Sequence, residues 1–249
     1  MLESNTAEQI VQALVDVVDR IALTERLHAI TSDLGFDFFA LIHHVDLRTP
    51  RPGVVHFDSY PVVWSEHCIQ NGLYVDDPVL HASTRTAIGF AWTAVPDMIK
   101  LTTRRRRILE SAAREGIGAG FTVPSNVPGE RHASCSFAVR LGRELPEGSL
   151  MLAQLVGLFA FDAARRIVLG GRRTSGPPRL SPKQRDCVVL AGQGKSDNVI
   201  AQLLGLSENT VTNYLAAARD HYGVATRTQL VTAALADGEI GFSEVETRH

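Results

Sequence analysis

Residues 198–211, Asn198-Val199-Ile200-Ala201-Gln202-Leu203-Leu204-Gly205-Leu206-Ser207-Glu208-Asn209-Thr210-Val211, read as two helices meeting at a tight corner. Small Ala201 lets a second helix cross closely, and Gly205 supplies the permissive backbone of the turn. Leu203, Leu204, Leu206, Val211 and Leu215 fall where an inter-helix core is needed. Ser207 is placed to cap the second helix, which then runs from Glu208 to about Tyr222. This is the helix-turn-helix pattern, whose second helix carries its first turns to base edges in the major groove. Leu180-Ser181-Pro182 opens a supporting helix before the corner, and Thr226 to Ala236 forms another after it.

Lys195 and Arg219 are the candidate phosphate contacts of this unit, and Asn209, Thr212 and Asn213 the candidate base contacts. Polar residues at these positions equally suit a solvated face. From Pro178 to Phe242 six basic residues are matched by six acidic ones. Phosphate neutralisation supplies most non-specific affinity, so such a domain binds DNA weakly, or as a dimer at a good site, and loss of DNA binding is a live alternative.

Upstream, Gly170 to Pro178 is rich in Gly and Pro without apolar rhythm, the composition of a linker. The expected organisation is a first domain over 1–169, a linker over 170–178 and an all-α domain over 179–249. In the first of these, Ile10, Ala13, Leu14, Val17, Val18, Ile21 and Leu23 follow helical rhythm. They predict one long helix from Ala7 toward Gly35, with any break near Leu23-Thr24. Phe38 to Ile42 and Val54 to Phe57 read as strands. Helices are expected over Val62 to Gln70, Pro78 to Ser83, Asp97 to Glu115 and Gly148 to Leu169. Gly120 to Pro124 and Ala133 to Val139 read as a hairpin turning around Pro128-Gly129. Together these elements predict an N-terminal α/β/α sandwich, an α+β unit joined to the all-α helix-turn-helix domain.

The chain has 249 residues, 45% of them apolar and 21% charged, with a formal charge of −2. That balance is ordinary for a globular protein and predicts no broad attraction to nucleic acid or membrane. No apolar stretch reaches membrane-span length, the N-terminus lacks a secretory signal, and Cys68, Cys135 and Cys187 are scattered. A cytoplasmic protein with free thiols is expected. The strand ending in His43-His44 after a long helix does not fit a phospho-acceptor receiver, and no phosphate loop occurs. The two histidines point to opposite faces of a strand, so no metal site is expected. Arg104 to Arg107 read as a solvated helix face. No catalytic Ser/His/Asp set or paired acid emerges.

Leu180-Ser181-Pro182, Gly194-Lys195-Ser196, Ile200-Ala201, Leu203, Leu206-Ser207-Glu208, Thr210-Val211, Val224, Arg227 and Gln229 carry a resemblance to the LuxR-type DNA-binding domain. Gln184, Val199, Thr212, Tyr214 and His221-Tyr222 depart from its usual pattern. Upstream, Tyr60-Pro61-Val62-Val63-Trp64, Tyr74-Val75-Asp76-Asp77-Pro78-Val79, Phe90-Ala91-Trp92 and Gly120 resemble the autoinducer-binding domain of LuxR-type quorum-sensing receptors.

The resemblance implies an acyl-homoserine lactone ligand, no other cofactor, and a homodimer acting on double-stranded promoter DNA. It implies that the Trp64 indole donates to the lactone carbonyl, Asp77 accepts from the amide N–H and Tyr60 donates to the amide carbonyl. These roles suit a donor-only indole, an acceptor-only carboxylate and a phenol. Trp92 would wall the headgroup, Val79 would join the lining, and Ser134 or Ser136 would add a hydroxyl donor. Cys68 stands where many relatives have tyrosine, which would reshape the acyl pocket toward long, branched or aromatic tails. Gly120 would permit close backbone approach in the sheet. The rival reading is a receptor-like partner that heterodimerises with another regulator and has weak or no DNA binding of its own.

Overall fold

The computed structural model describes residues 4–49, 53–127, 130–170 and 180–246. They form two compact units, one containing the sheet and one built of helices. The expected linker beyond Gly170 and the turn at Pro128-Gly129 lie outside the described residues.

The first unit opens with α1 (Ser4–Val15) and α2 (Arg20–Asp33). They are two helices where the rhythm predicted one, and the break falls earlier than Leu23-Thr24. Asp19 causes it, because its carboxylate caps α2 by accepting from the Ala22 N–H at 2.9 Å. Leu14, Val17, Leu23 and Leu27 reach the core, whereas Val18 and Ile21 are 83% and 73% exposed.

Five strands follow: β1 (Phe38–His43), β2 (His56–Asp58), β3 (Phe90–Ala91), β4 (Ile117–Pro124) and β5 (Ala133–Arg140). They form one antiparallel sheet in the order β2-β1-β5-β4-β3. The expected second strand is displaced, starting at His56, and the two-residue β3 was not anticipated. Strand alternation sends Phe39, Leu41, Cys135 and Phe137 to one face, against α1, α2 and α7 (Leu150–Val168). Ala40, Ile42 and Ala138 go to the other face, against α3 (Val62–Gln70), α4 (Pro78–Ser83) and α6 (Thr103–Arg114). The unit is therefore the expected sandwich, with a helical layer on each side of the sheet.

The helix expected over Asp97 to Glu115 is two. α5 (Val95–Met98) ends at Ile99, whose backbone is extended, and Thr102 starts α6 by accepting from the Arg105 N–H at 3.3 Å. Arg104 pairs with Asp76 at 2.7 Å and, like Arg106 and Arg107, is exposed, as a solvated face requires.

The second unit comprises α8 (Pro182–Gly192), α9 (Asp197–Leu204), α10 (Glu208–Tyr222), α11 (Arg227–Ala236) and the short α12 (Phe242–Val245). Gly205 sits at φ +65°, which lets the chain turn between α9 and α10, and Ser207 accepts from the Thr210 N–H at 3.1 Å. Ile200, Val211, Leu215 and Leu230 form a fully buried centre. Leu204 and Leu206 pack at its margin, but Leu203 is 59% exposed and lies outside the expected core. Gln184, one of the departures from the resembled pattern, completes a reciprocal cap with Ser181, accepting from the Ser181 N–H at 2.9 Å.

Candidate functional site

A cavity lies on the α3, α4 and α6 side of the sheet. Ala40, Ile42 and Ser136 form its floor; Leu80, Ile108, Ala112 and Ile117 make an apolar wall. Tyr60, Trp64, Tyr74, Asp77 and Trp92 supply the aromatic and polar groups. Val79 lines it as expected.

Local sequence explains how each polar group is aimed. Trp64 sits in the first turn of α3, which starts immediately after Pro61. The Asp58 carboxylate at the end of β2 fixes this corner: it accepts from the Tyr60 N–H at 3.2 Å and the Ser65 hydroxyl at 2.6 Å, and meets His56 Nε2 at 2.9 Å. Burial alone would raise the Asp58 carboxyl, but the hydrogen bonds from His56 and Ser65 outweigh it and hold it below its ordinary value. Across the cavity, Asp77 caps α4. Its Oδ1 accepts from the Val79 and Leu80 N–H groups at 2.8 and 3.4 Å, with Pro78 at the first helical position.

Three polar groups on this cavity are left with capacity. Among the described residues the Tyr60 hydroxyl, the Trp64 indole N–H and Asp77 Oδ2 have no hydrogen-bond partner. Burial pushes the Asp77 carboxyl up to about 6, although the Val79 and Leu80 N–H groups and nearby His81 pull it down. Burial likewise raises Tyr60 well above an ordinary phenol, so it is a neutral donor. Two donors and one acceptor in a mostly apolar chamber form a site for a ligand with two carbonyl-type acceptors, one N–H and an apolar tail.

The structure separates the remaining expected residues. Ser136 lies on the cavity floor, but Ser134, two residues back on β5, faces His44 Nε2 at 3.0 Å and does not line it. Burial and the neighbouring His132, His43 and His81 push His44 down to about 3, so that imidazole is neutral. Cys68 belongs to the packed cluster around Trp64 and Tyr74 and, against expectation, is absent from the cavity lining. Burial raises the Cys68 thiol, which makes it an apolar filler and no nucleophile. Trp92 walls the cavity, but its N–H is already given to Thr122 Oγ1 at 2.8 Å. Gly120 makes room for that indole, not for backbone: a Cβ there would lie 2.3 Å from the Trp92 ring.

Sequence reading missed Tyr74, Thr122 and Asp58. Tyr74 stood within the quoted Tyr74 to Val79 series, and Thr122 is the register partner of Ser136, a relation invisible before strand pairing is known.

In the helical unit Asn209 and Asn213 are exposed on α10, four residues apart on one face. Thr212 is exposed too, but its hydroxyl donates to Asp197 Oδ2 at 3.0 Å. Arg227 grips the Asp197 carboxylate and the Lys195 carbonyl, tying α11 to the start of α9. Among the described residues Lys195 and Arg219 form no ion pair, so both cations remain available to phosphate.

The autoinducer binding domain matches residues 19–167, and the domain of bacterial regulatory proteins of the luxR family matches residues 178–234. The chain is 24% identical to the transcriptional activator protein AhyR of Aeromonas hydrophila over 226 residues, 89% of this chain and 87% of that one. It is 25% identical to the transcriptional activator protein LuxR of Aliivibrio fischeri over 209 residues, 81% of this chain and 80% of that one. SdiA, solved in complex with octanoyl-rac-glycerol, shares the fold with a TM-score of 0.70 at 20% identity, covering 98% of this chain and 97% of that one.

Proposed function

The chain belongs to the LuxR family of autoinducer-binding transcriptional regulators, and from that footing we propose that its cavity takes an acyl-homoserine lactone whose binding governs promoter recognition by a homodimer. In this reading 1–169 is the receptor, 170–178 the linker and 179–249 the DNA-binding domain. The protein works in the cytoplasm without cofactor or catalysis. One observation carries the ligand assignment: the cavity groups that have no hydrogen-bond partner among the described residues are two donors and one carboxylate oxygen. Trp64 donates to the lactone carbonyl, Tyr60 to the amide carbonyl, and Asp77 Oδ2 accepts the amide N–H, while Ser136 adds a hydroxyl to the acyl side. A polar group buried without its partner costs about 1–3 kcal/mol, so ligands lacking the amide or the lactone are disfavoured.

Ligand binding to the folded, dimer-competent form stabilises it by mass action. Two copies of α10 then present Asn209 and Asn213 to base edges, with Lys195 and Arg219 on phosphate. The lack of net positive charge in the second unit makes dimerisation necessary for affinity.

The test is expression with a panel of acyl-homoserine lactones, mass spectrometry of the extracted small molecules, and DNA binding by the ligand-loaded protein. One retained lactone and specific, salt-sensitive DNA binding are expected. Lactone retention without DNA binding in any promoter pool would favour the heterodimeric partner reading. No retained lactone would remove the ligand assignment.

A pH dependence follows from Asp77. With its carboxyl titrating at about 6, the ionised acceptor is present above that pH and lost below it. Lactone affinity measured by equilibrium titration from pH 7.5 to 5 is expected to fall below pH 6, approaching about tenfold per unit. Asp77→Asn should flatten the profile; an unchanged slope in that variant would assign it to another group.

A further inference from the structure

Thr122 is fully buried on β4, directly opposite Ser136 of β5. Its Oγ1 accepts the Trp92 indole N–H at 2.8 Å and lies 2.8 Å from Ser136 Oγ. Among the described residues neither hydroxyl has a further partner. Indole donates and cannot accept, so toward Trp92 the Thr122 oxygen is an acceptor. Each hydroxyl has a single proton. If Ser136 gave its proton to Thr122, the Thr122 proton would have no acceptor in a fully buried place, a loss of a hydrogen bond that native interiors avoid. The arrangement that satisfies every atom sends the Thr122 proton to Ser136 Oγ. The Ser136 proton is then left to point at the cavity, whose floor Ser136 forms.

We infer that Trp92 and Thr122 are positioning residues that make Ser136 a directed donor, so that the β5 wall of the cavity selects a carbonyl oxygen over a donor group. The inference rests on the cavity being the acyl-lactone site. It gives Trp92 a second task beyond its ring surface, and it makes Thr122, which touches no ligand, a determinant of specificity.

The experiment is a set of double-mutant cycles on the full chain. Acyl-homoserine lactones with straight acyl chains from butanoyl to tetradecanoyl and with branched and aromatic acyl groups are titrated first, and the tightest binder is used for the variants. Ser136→Ala is expected to weaken binding about tenfold, and Thr122→Val and Trp92→Phe several-fold each. Adding Thr122→Val to Ser136→Ala should change affinity no further, because it acts through a hydroxyl already removed; adding Trp92→Phe should cost less than it does in the wild type, the remainder being its ring surface on the cavity. Thr122→Ser, which keeps the relay, should bind as the wild type does.

Losses that add in full in the double variants, or a Thr122→Ser variant as weak as Thr122→Val, would overturn the relay while leaving the ligand assignment intact. If the wild type binds no lactone, the ligand assignment falls and the relay with it. Should Thr122→Val fail to fold, the Trp92→Phe cycle and the serine variant still decide the question.

Discussion

Asp77→Ala is expected to lower acyl-lactone affinity at least about a hundredfold, near 3 kcal/mol, for two reasons that reinforce each other. The first is direct. Oδ2 is the cavity's acceptor, and a hydrogen bond to a charged group is worth about 1.5–3 kcal/mol, with the ligand N–H left unpaired when it goes. The second is structural. Oδ1 caps α4 through the Val79 and Leu80 N–H groups, and both residues line the cavity. Losing an N-cap costs about 0.5–2 kcal/mol and loosens that wall.

Asp77→Asn separates the two effects. Its side-chain oxygen can still cap the helix, while the negative charge is gone. A carboxyl raised by burial destabilises the ligand-free fold as pH rises from its unfolded value through about 6, a penalty on the order of 2–3 kcal/mol at neutral pH. The asparagine variant is therefore expected to melt no lower than wild type at pH 7 while binding lactone more weakly, and Arg105→Ala should match the wild type in both respects. If Asp77→Ala binds within threefold of wild type by equilibrium titration, the carboxylate is a helix cap and nothing more.

The parts of this molecule that obey local rules were legible in the chain. Ser181, Ser196, Ser207 and Thr226 each precede a helix, and each caps it. The β5 stretch alternates as a strand between two layers must. Reading failed where a side chain overrides periodicity. Asp19 starts a helix within an unbroken apolar rhythm, and extended Ile99 followed by Thr102 splits another.

For the site, Tyr60, Trp64, Asp77, Val79, Trp92 and Ser136 do meet at one cavity. Cys68 and Ser134 do not, and the reason is geometric. Each has the right neighbour in sequence, but Cys68 lies a turn beyond Trp64 in packed side chains and Ser134 faces His44. Thr122 could not be singled out at all, since its importance comes from a strand register and an indole 30 residues away.

That same indole sets the second large effect, expected for Gly120→Ala. Gly120 lies two residues before Thr122 on β4, just after the register irregularity that begins at Ile117. A Cβ at this position would come within 2.3–2.6 Å of three carbons of the Trp92 ring. The ring cannot swing aside without releasing the bond from its N–H to Thr122. Overpacking costs about 1–3 kcal/mol, and the orphaned indole N–H and Thr122 hydroxyl add to it.

Thermal unfolding should therefore begin about 5–10 °C lower, and lactone affinity should fall about tenfold or more as the relay to Ser136 breaks. Gly148→Ala, where an added Cβ meets nothing within 4 Å, should leave both quantities near wild type. The diagnostic is a suppressor. Trp92→Phe in the Gly120→Ala background shortens the clashing ring, so it is expected to recover stability without recovering affinity, because a phenyl ring brings no N–H to Thr122. Stability that stays low in the double variant would locate the clash elsewhere than the indole; affinity that returns with it would show that the ring's surface, and not its N–H, is what the cavity needs.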